Sequence, residues 1–192
     1  MVVVAGSTHK GEEEQLLEAF SKARSRNTEL RLILAPRHIE RTADLEKMAR
    51  GMGFRVERRT QAGSGTPWDV LLLDTIGELA RIYAISDLAF IGGSLVDWGG
   101  QNLLEPAYYG RPICFGPHMK NFAHLAEIFV KNGAARIVKN LEELETIMML
   151  DGARELEEMG NRAKATLSAL SGATDMTVKA IEALMAGGRG RG

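Results

Sequence analysis

A glycine-rich stretch followed by polar residues at helix-capping spacing is the part of the sequence best suited to bind an anion. Paired glycines at positions 92–93 and 99–100 lie between the apolar run 88–91 and a predicted helix that begins near Asn102. With Asn102 as the N-cap, Glu105 falls at the third helical position and completes a capping box. The unpaired N–H groups and the positive dipole end of such a helix favour a phosphate.

Glu105 would repel a phosphate placed directly beside it, so we assign its carboxylate to hydroxyl groups such as those of a ribose. The alternative is that Asn102 and Glu105 only cap the helix. The turn after Gly6 has neither the Walker spacing nor the dinucleotide fingerprint, which argues against a P-loop and against an NAD-linked dehydrogenase. The acidic residues 12–14 are predicted to complement the dipole of the first helix.

Further polar residues follow two other predicted strands. Arg37 comes directly after the run 30–35, and its planar guanidinium suits a phosphate or a carboxylate. Ser7 follows the run 2–5 and either offers a hydroxyl or an amide to a phosphate or is a plain turn residue. His38 either contacts a ligand or hydrogen-bonds to its own loop. Because parallel strands end at one edge of a sheet, these residues are predicted to lie together.

The chain carries a series of short motifs in a fixed order. They are Gly6-Ser7-Thr8-His9, Gly11-Glu12-Glu13, Pro36-Arg37-His38, Asp74-Thr75, Gly77-Glu78-Leu79, Gly92-Gly93-Ser94-Leu95, Gly99-Gly100-Gln101-Asn102-Leu103-Leu104-Glu105-Pro106, Phe115-Gly116-Pro117-His118 and Asn121-Phe122. Over about residues 3 to 150 the chain resembles the bacterial 3-deoxy-D-manno-oct-2-ulosonic acid (Kdo) transferases. Gln101 and Leu103 stand where that family usually has His and Pro.

The resemblance implies a glycosyltransferase of the GT-B fold that moves Kdo from CMP-Kdo to lipid A precursors in lipopolysaccharide biosynthesis. This chain would be the C-terminal, donor-binding half, without the N-terminal acceptor domain. The implied mechanism is inverting and uses neither metal nor cofactor, and its base is a carboxylate of the missing half, so no catalytic residue is expected here. The isolated chain would bind CMP weakly and transfer nothing.

The resemblance also assigns roles in the remaining loops. Thr75, Gly77 and Glu78 would touch the cytidine or its ribose, although Thr75 and Glu78 also fit a capping box without any ligand. His118 and Asn121 are candidates for contacts to the Kdo moiety, or only order their turn. The complete predicted nucleotide-sugar site comprises Ser7, Arg37, His38, Thr75, Gly77, Glu78, Gly93, Ser94, Gly100, Asn102, Glu105, His118 and Asn121.

Short apolar runs that alternate with helical segments predict an α/β fold with a doubly wound, Rossmann-like parallel sheet. The predicted strands are 2–5, 30–35, 54–58, 70–73, 87–91, 111–115 and 135–138. Two helices, at about 153–170 and 175–185, are predicted to close the domain. We expect one α/β domain over residues 1–186 and a flexible tail at 187–192.

Composition narrows the function classes. A length of 192 residues suits one domain with its own core, and the net charge of −1 gives no case for nucleic acid. The single cysteine, Cys114, lies in an apolar run and is predicted to be a buried strand residue. No apolar run is long enough to span a bilayer, so we expect a soluble, cytoplasmic chain. Full-length family members would lie at the cytoplasmic face of the inner membrane through their N-terminal half.

Two alternatives to the CMP-Kdo hypothesis remain. The same glycine turn and Glu105 would serve the donor domain of a GT-B enzyme that uses a UDP-sugar, and only nucleotide preference discriminates the two. The other is a stand-alone nucleotide-binding or interaction module that completes a separately encoded partner. Neither the acceptor lipid nor the number of Kdo residues transferred follows from this sequence.

Overall fold

The structure, a computed structural model, describes residues 1–63, 65, 67–150 and 154–188. Its strands are β1 Val2–Thr8, β2 Arg31–Pro36, β3 Val56–Arg58, β4 Val70–Leu72, β5 Leu88–Ile91, β6 Ile113–Phe115 and β7 Ala135–Ile137. Its α-helices are α1 Glu13–Arg26, α2 Thr42–Gly51, α3 Leu79–Ile82, α4 Leu104–Tyr108, α5 Ala123–Lys131, α6 Leu141–Met148 and α7 Arg154–Gly188. Short 3-10 turns are Ile39–Arg41, Tyr83–Ile85 and Lys120–Phe122.

The strands form one sheet in the order β3-β4-β2-β1-β5-β6-β7, and every neighbouring pair is parallel. At the centre of the sheet, Val4 of β1 lies opposite Ile33 of β2 on one side and Ala89 of β5 on the other. The predicted doubly wound parallel sheet is confirmed. Sequential strands are added on one side of β1 first and on its other side afterwards, so the chain order reverses between β1 and β5.

Alternation along the strands separates two apolar layers. Val3 and Phe90 belong to the cluster that α1, α2 and α6 cover, with Phe20 of α1 among the buried side chains. The opposite face carries Ile91, which packs in a cluster with residues of α4, α5 and α7. Because the inner strands β4, β5 and β6 are covered on both faces, their runs are apolar throughout instead of alternating with polar residues. Cys114 is buried in β6 as predicted, and burial raises the pKa of its thiol to about 12.

The C-terminal part of the described chain departs from the prediction. The two predicted helices are one continuous helix, α7, since the segment between them also adopts helical backbone geometry. The predicted tail begins in the last turn of α7, and its residues 189–192 lie outside the described part of the chain. Before α7, the sequence predicts a helix cap from Asn140 and Glu143, and the structure confirms it: the Asn140 side chain accepts a hydrogen bond from the Glu143 backbone N–H at 2.9 Å.

Two glycines allow the loops at the carboxyl edge to pack against one another. A Cβ atom at Gly92 would collide with the backbone carbonyl of Ser7, and one at Gly116 would collide with that of Ser94. The loops after β1, β5 and β6 are therefore in backbone contact. Among the described helices, none combines the length and apolarity that crossing a membrane requires.

Candidate functional site at the carboxyl edge of the sheet

The loops that carry the predicted site residues meet at one edge of the sheet. From β1 the chain passes to α1 on one face, whereas from β5 it passes to α4 on the other. Open α/β sheets bind ligands in the crevice that such a reversal leaves. We call the space between loops 8–12 and 92–103 the switch-point crevice.

A buried carboxylate ties the two walls of this crevice together. Glu12 is 0% exposed, and its Oε1 accepts hydrogen bonds from the backbone N–H of His9 at 2.7 Å and of Gly93 at 2.6 Å. Its Oε2 lies 3.3 Å from the backbone nitrogens of Ser94 and Leu95. The sequence predicted Glu12 in the first turn of this helix with Glu13 and Glu14, but α1 begins at Glu13 and Glu12 is its N-cap residue. A glutamate three residues after His9 fits the reach-back half of a capping box, and that spacing was the available signal.

The hydrogen bonds from both loops to Glu12, which we call the Glu12 clamp, change the interpretation of the glycine turn. Burial raises the pKa of Glu12 to about 6, although the four N–H donors act in the opposite direction. The amides of Gly93 and Ser94 already donate to this carboxylate, so they do not form an open cradle for a phosphate. The Ser94 hydroxyl donates to the Ile91 carbonyl and accepts from the Gly116 N–H at 2.7 Å. In this structure Gly93 and Ser94, two of the predicted contacts, hold the loops together.

Asn102 and Glu105 are neighbours, but not as a capping box. The helix α4 begins at Leu104, so Asn102 is not its N-cap, and that prediction is wrong. Asn102 instead accepts from the Leu104 N–H at 3.0 Å, while its amide donates to Glu105 Oε1 at 3.3 Å. Such a side-chain turn competes with helix initiation. Because α4 has only 5 residues, its dipole also supplies little of the anion attraction that the sequence predicted.

The Glu105 carboxylate keeps one oxygen without a hydrogen bond inside the described part of the chain. Asn102 and Glu105 line a cavity of about 410 Å³ together with Tyr108, Tyr109 and Leu167. Asn102 is exposed and Glu105 is half-buried. An acceptor in this position, already oriented by an amide, suits the hydroxyl groups to which the sequence assigned it.

Arg37, Ser7, Thr75 and Gly77 are brought together as predicted. They line a small cavity of about 120 Å³ at the ends of β1, β2 and β4, which Ile76 also borders. Within the described residues the exposed guanidinium of Arg37 makes no hydrogen bond or ion pair. Ser7 adopts a left-handed backbone conformation with φ of 55°, a strained geometry for a serine. The N–H groups of Arg37 can donate to an anion, and Ile76, which is 84% exposed, can pack against a flat apolar ring beside it.

Glu78 and Thr75 contact each other without forming the predicted capping box. The helix α3 begins at Leu79, so Glu78 is its N-cap residue, and Thr75 lies too far upstream to cap. The Thr75 hydroxyl donates to Glu78 Oε2 at 2.5 Å, and Arg59 pairs with Glu78 Oε1 at 3.1 Å. Glu78 is therefore engaged in pairing, while Thr75 and Gly77 border the cavity.

His9 and Trp98 form a stacked pair beside the Glu12 clamp that the sequence did not single out as a ligand site. The two rings lie 4.9 Å apart between centroids at an interplanar angle of 15°. His9 Nε2 lies 3.2 Å from Gln101 Nε2, and the ring of His38 approaches His9 edge-on with centroids 5.9 Å apart. Burial lowers the pKa of His9 below its usual value, and the charges of His38 and Arg37 lower it further.

His118 and Asn121 lie in the loop after β6, which packs against loop 92–103. Asn121 donates its amide to the Trp98 carbonyl at 3.2 Å, and its backbone N–H donates to the Gly99 carbonyl at 2.9 Å. These bonds match the alternative in which Asn121 orders the turn. The exposed His118 borders a separate groove of about 700 Å³. Gly100, another predicted contact, donates its N–H to the Gly93 carbonyl at 2.8 Å and so closes the turn.

Across the described residues, no three His, Cys, Asp or Glu side chains come together in a way that would hold a metal ion.

No protein-family model matches the chain. The 3-deoxy-D-manno-octulosonic acid transferase of Aquifex aeolicus is 42% identical over 144 residues, which cover 75% of this chain and 40% of that protein. The corresponding transferase of Bordetella pertussis is 35% identical over 94% of this chain and 44% of its own length. The chain thus spans less than half the length of these curated relatives.

A solved domain matches the chain over nearly its whole length. The C-terminal CMP-Kdo binding domain of WaaA from Acinetobacter baumannii is 31% identical, with a TM-score of 0.79 over 87% of this chain and 89% of that domain. The C-terminal domain of a group 1 glycosyltransferase from Francisella tularensis has a TM-score of 0.63 at 12% identity, which concerns the fold alone. The expected C-terminal GT-B fold is therefore confirmed, and the chain belongs to the 3-deoxy-D-manno-octulosonic acid transferase family.

Proposed function

We propose that this chain binds the CMP-Kdo donor of a Kdo transferase at the carboxyl edge of its sheet. The observation that carries the proposal is the likeness to the Acinetobacter CMP-Kdo binding domain, at 31% identity over 89% of that domain. The matches cover only 40% and 44% of these relatives, so transfer itself is assigned to the complete protein. Its acceptor would be a lipid A precursor, handled by a further domain at the cytoplasmic face of the inner membrane.

The geometry supports a division of the donor among three groups of residues. The cytidine base lies against Ile76 in the cavity that Thr75 and Gly77 border. The guanidinium of Arg37 lies at the same cavity and takes the phosphate, because it is exposed and has free donors. Glu105, oriented by Asn102, accepts hydrogen bonds from ribose hydroxyls.

The proposed chemistry of this half is electrostatic. When the bond between Kdo and the phosphate breaks, negative charge grows on the departing CMP. A fixed guanidinium at Arg37 stabilises that charge without reorganising, which is how preorganised groups lower a barrier. Deprotonation of the acceptor hydroxyl is assigned to a group outside this chain, so the chain alone is expected to bind CMP and to catalyse no transfer.

Calorimetric titration with CMP, UDP and NAD tests this function. We expect binding of CMP in preference to UDP and NAD, weakened roughly tenfold or more by Arg37→Ala through loss of a charge-assisted hydrogen bond. Glu105→Ala should weaken it as well. Glu18→Ala and Arg154→Ala are matched controls on exposed helix positions and should bind like the parent chain. A preference for UDP would favour a UDP-sugar donor, and no binding by a folded chain would contradict the proposal.

A further inference from the structure

The tautomer of His9 is coupled to the orientation of the Gln101 amide beside its ring. The only side-chain partner of Nε2 in the described structure is Gln101 Nε2, at 3.2 Å. With the Gln101 amide oriented as in this structure, its NH₂ group donates, so the imidazole nitrogen facing it is the acceptor. This orientation places the proton of the neutral ring on Nδ1.

The same neighbourhood favours the neutral ring over the cation. His9 is only 6% exposed, and burial lowers the pKa of its imidazole, as do the nearby charges of His38, Arg37 and Arg41. Two carboxylates lie nearby: Glu12 accepts from the His9 backbone N–H at 2.7 Å, and Glu13 pairs with Arg41 at 2.7 and 3.0 Å. At neutral pH the ring is a hydrogen-bond donor through Nδ1 without being a cation.

Nδ1 has no hydrogen-bond partner within the described residues, yet it is not fully buried. Across those residues, Arg111 Nε is the fully buried side-chain polar atom that lacks a hydrogen bond, and His9 Nδ1 is not among such atoms. The opposite edge of the ring, at Cδ2 and Nε2, faces Gly93. A stacked, almost buried ring thus exposes one polar atom, directed away from the glycine turn.

We propose that His9 is a binding residue for the nucleotide phosphate, donating from Nδ1–H while Gln101 and Trp98 hold its tautomer and ring plane. The inference rests on the proposed donor site, whose phosphate lies beside Arg37. Arg37 supplies the charge and His9 a directional neutral donor. Gln101, which differs from the usual residue of the family, acts here as a positioning residue.

Side-chain substitutions that retain one nitrogen or the other test the proposal. The amide nitrogen of asparagine lies near the position of histidine Nδ1, and that of glutamine lies near the position of Nε2. We expect His9→Asn to bind CMP within about 3-fold of the parent chain, and His9→Gln to bind roughly tenfold more weakly. Cytidine, which has no phosphate, should bind all three chains equally. Loss of CMP and cytidine binding together would indicate a purely structural role and overturn the proposal.

A second readout does not depend on the ligand. ¹⁵N imidazole spectra of the free chain should show a protonated Nδ1 and an unprotonated Nε2 for His9 at neutral pH. Gln101→Glu replaces the donor with an acceptor, so the Nε2 nitrogen should become protonated. A parent chain with the proton on Nε2 would overturn the tautomer. CMP binding that His9→Gln leaves unchanged would overturn the role of His9 alone, whereas no CMP binding by the parent chain would overturn the donor site as well.

Discussion

The buried Glu12 carboxylate makes the stability of the domain depend on pH in an unusual direction. The pKa of Glu12 is raised from 4.5 to about 6 in the folded protein, because burial penalises its charged form. A rise of about 1.5 pKa units corresponds to about 2 kcal/mol of free energy of unfolding. The folded state binds this proton more tightly than the unfolded chain does. The contribution of Glu12 is therefore fully present below pH 4.5 and is lost as the pH rises through about 6.

Glu12→Gln removes this titration and keeps the side-chain length. Urea unfolding of both chains at pH 4.5 and pH 7 gives the change in unfolding free energy over the window. We expect the parent chain to lose about 2 kcal/mol more than the variant between these pH values. Because other carboxylates titrate equally in both chains, their contributions cancel in the difference. The glutamine amide cannot make all the hydrogen bonds of the carboxylate. Any pH-independent loss of unfolding free energy from this cause also cancels in the comparison.

Glu18→Gln is the matched control, since Glu18 is exposed on α1, and it should follow the parent chain at both pH values. Equal pH dependence in the parent and in Glu12→Gln would refute the reasoning. So would the opposite sign, with the parent gaining stability relative to the variant as the pH rises. That result would mean that the four N–H donors outweigh burial.

Four further substitutions test the packing, an ion pair and a helix cap. Gly116→Ala should destabilise the domain by about 3 kcal/mol, because the added Cβ would meet the Ser94 carbonyl. Gly172 has open space around it, so Gly172→Ala should stabilise α7 by up to about 1 kcal/mol. Thermal melting measures both changes. Asp69→Asn should cost about 2 kcal/mol at pH 7 in urea unfolding, because neighbouring arginines hold the pKa of Asp69 at about 2, and this contribution should disappear as the pH falls from 3.8 through 2. Asn140→Ala should cost about 1 kcal/mol in the same assay through loss of the α6 cap.

The sheet could be predicted from the sequence because its signals are local. Apolar runs such as 88–91 are short and end in glycines, and their alternation with helical segments indicates parallel strands. The cap of α6 was equally accessible, since Asn140 and Glu143 are three residues apart and lie directly before a helical pattern. Loop positions at strand ends followed from the same reasoning, which is why Arg37 and Ser7 were predicted to lie together.

The interior of the crevice could not be predicted because it depends on residues far apart in the chain. Glu12 lies among three consecutive glutamates that look equally solvated, and only the placement of residues 93–95, more than 80 positions later, buries it. His9 and Gln101 likewise meet across 92 positions. At Asn102 the failure was local, because its side chain forms a turn with Leu104 and delays the helix.

The location of CMP on this chain tests the proposed function most directly. Backbone ¹H–¹⁵N spectra recorded during a CMP titration would map the contacted residues on the folded domain. A donor site at the carboxyl edge requires that the largest shifts fall on Ser7, Arg37, Gly77 and Glu105, with little change around Lys120 in the 700 Å³ groove. Shifts confined to that groove, or scattered over the surface without saturation, would contradict a donor site formed by Arg37 and Glu105.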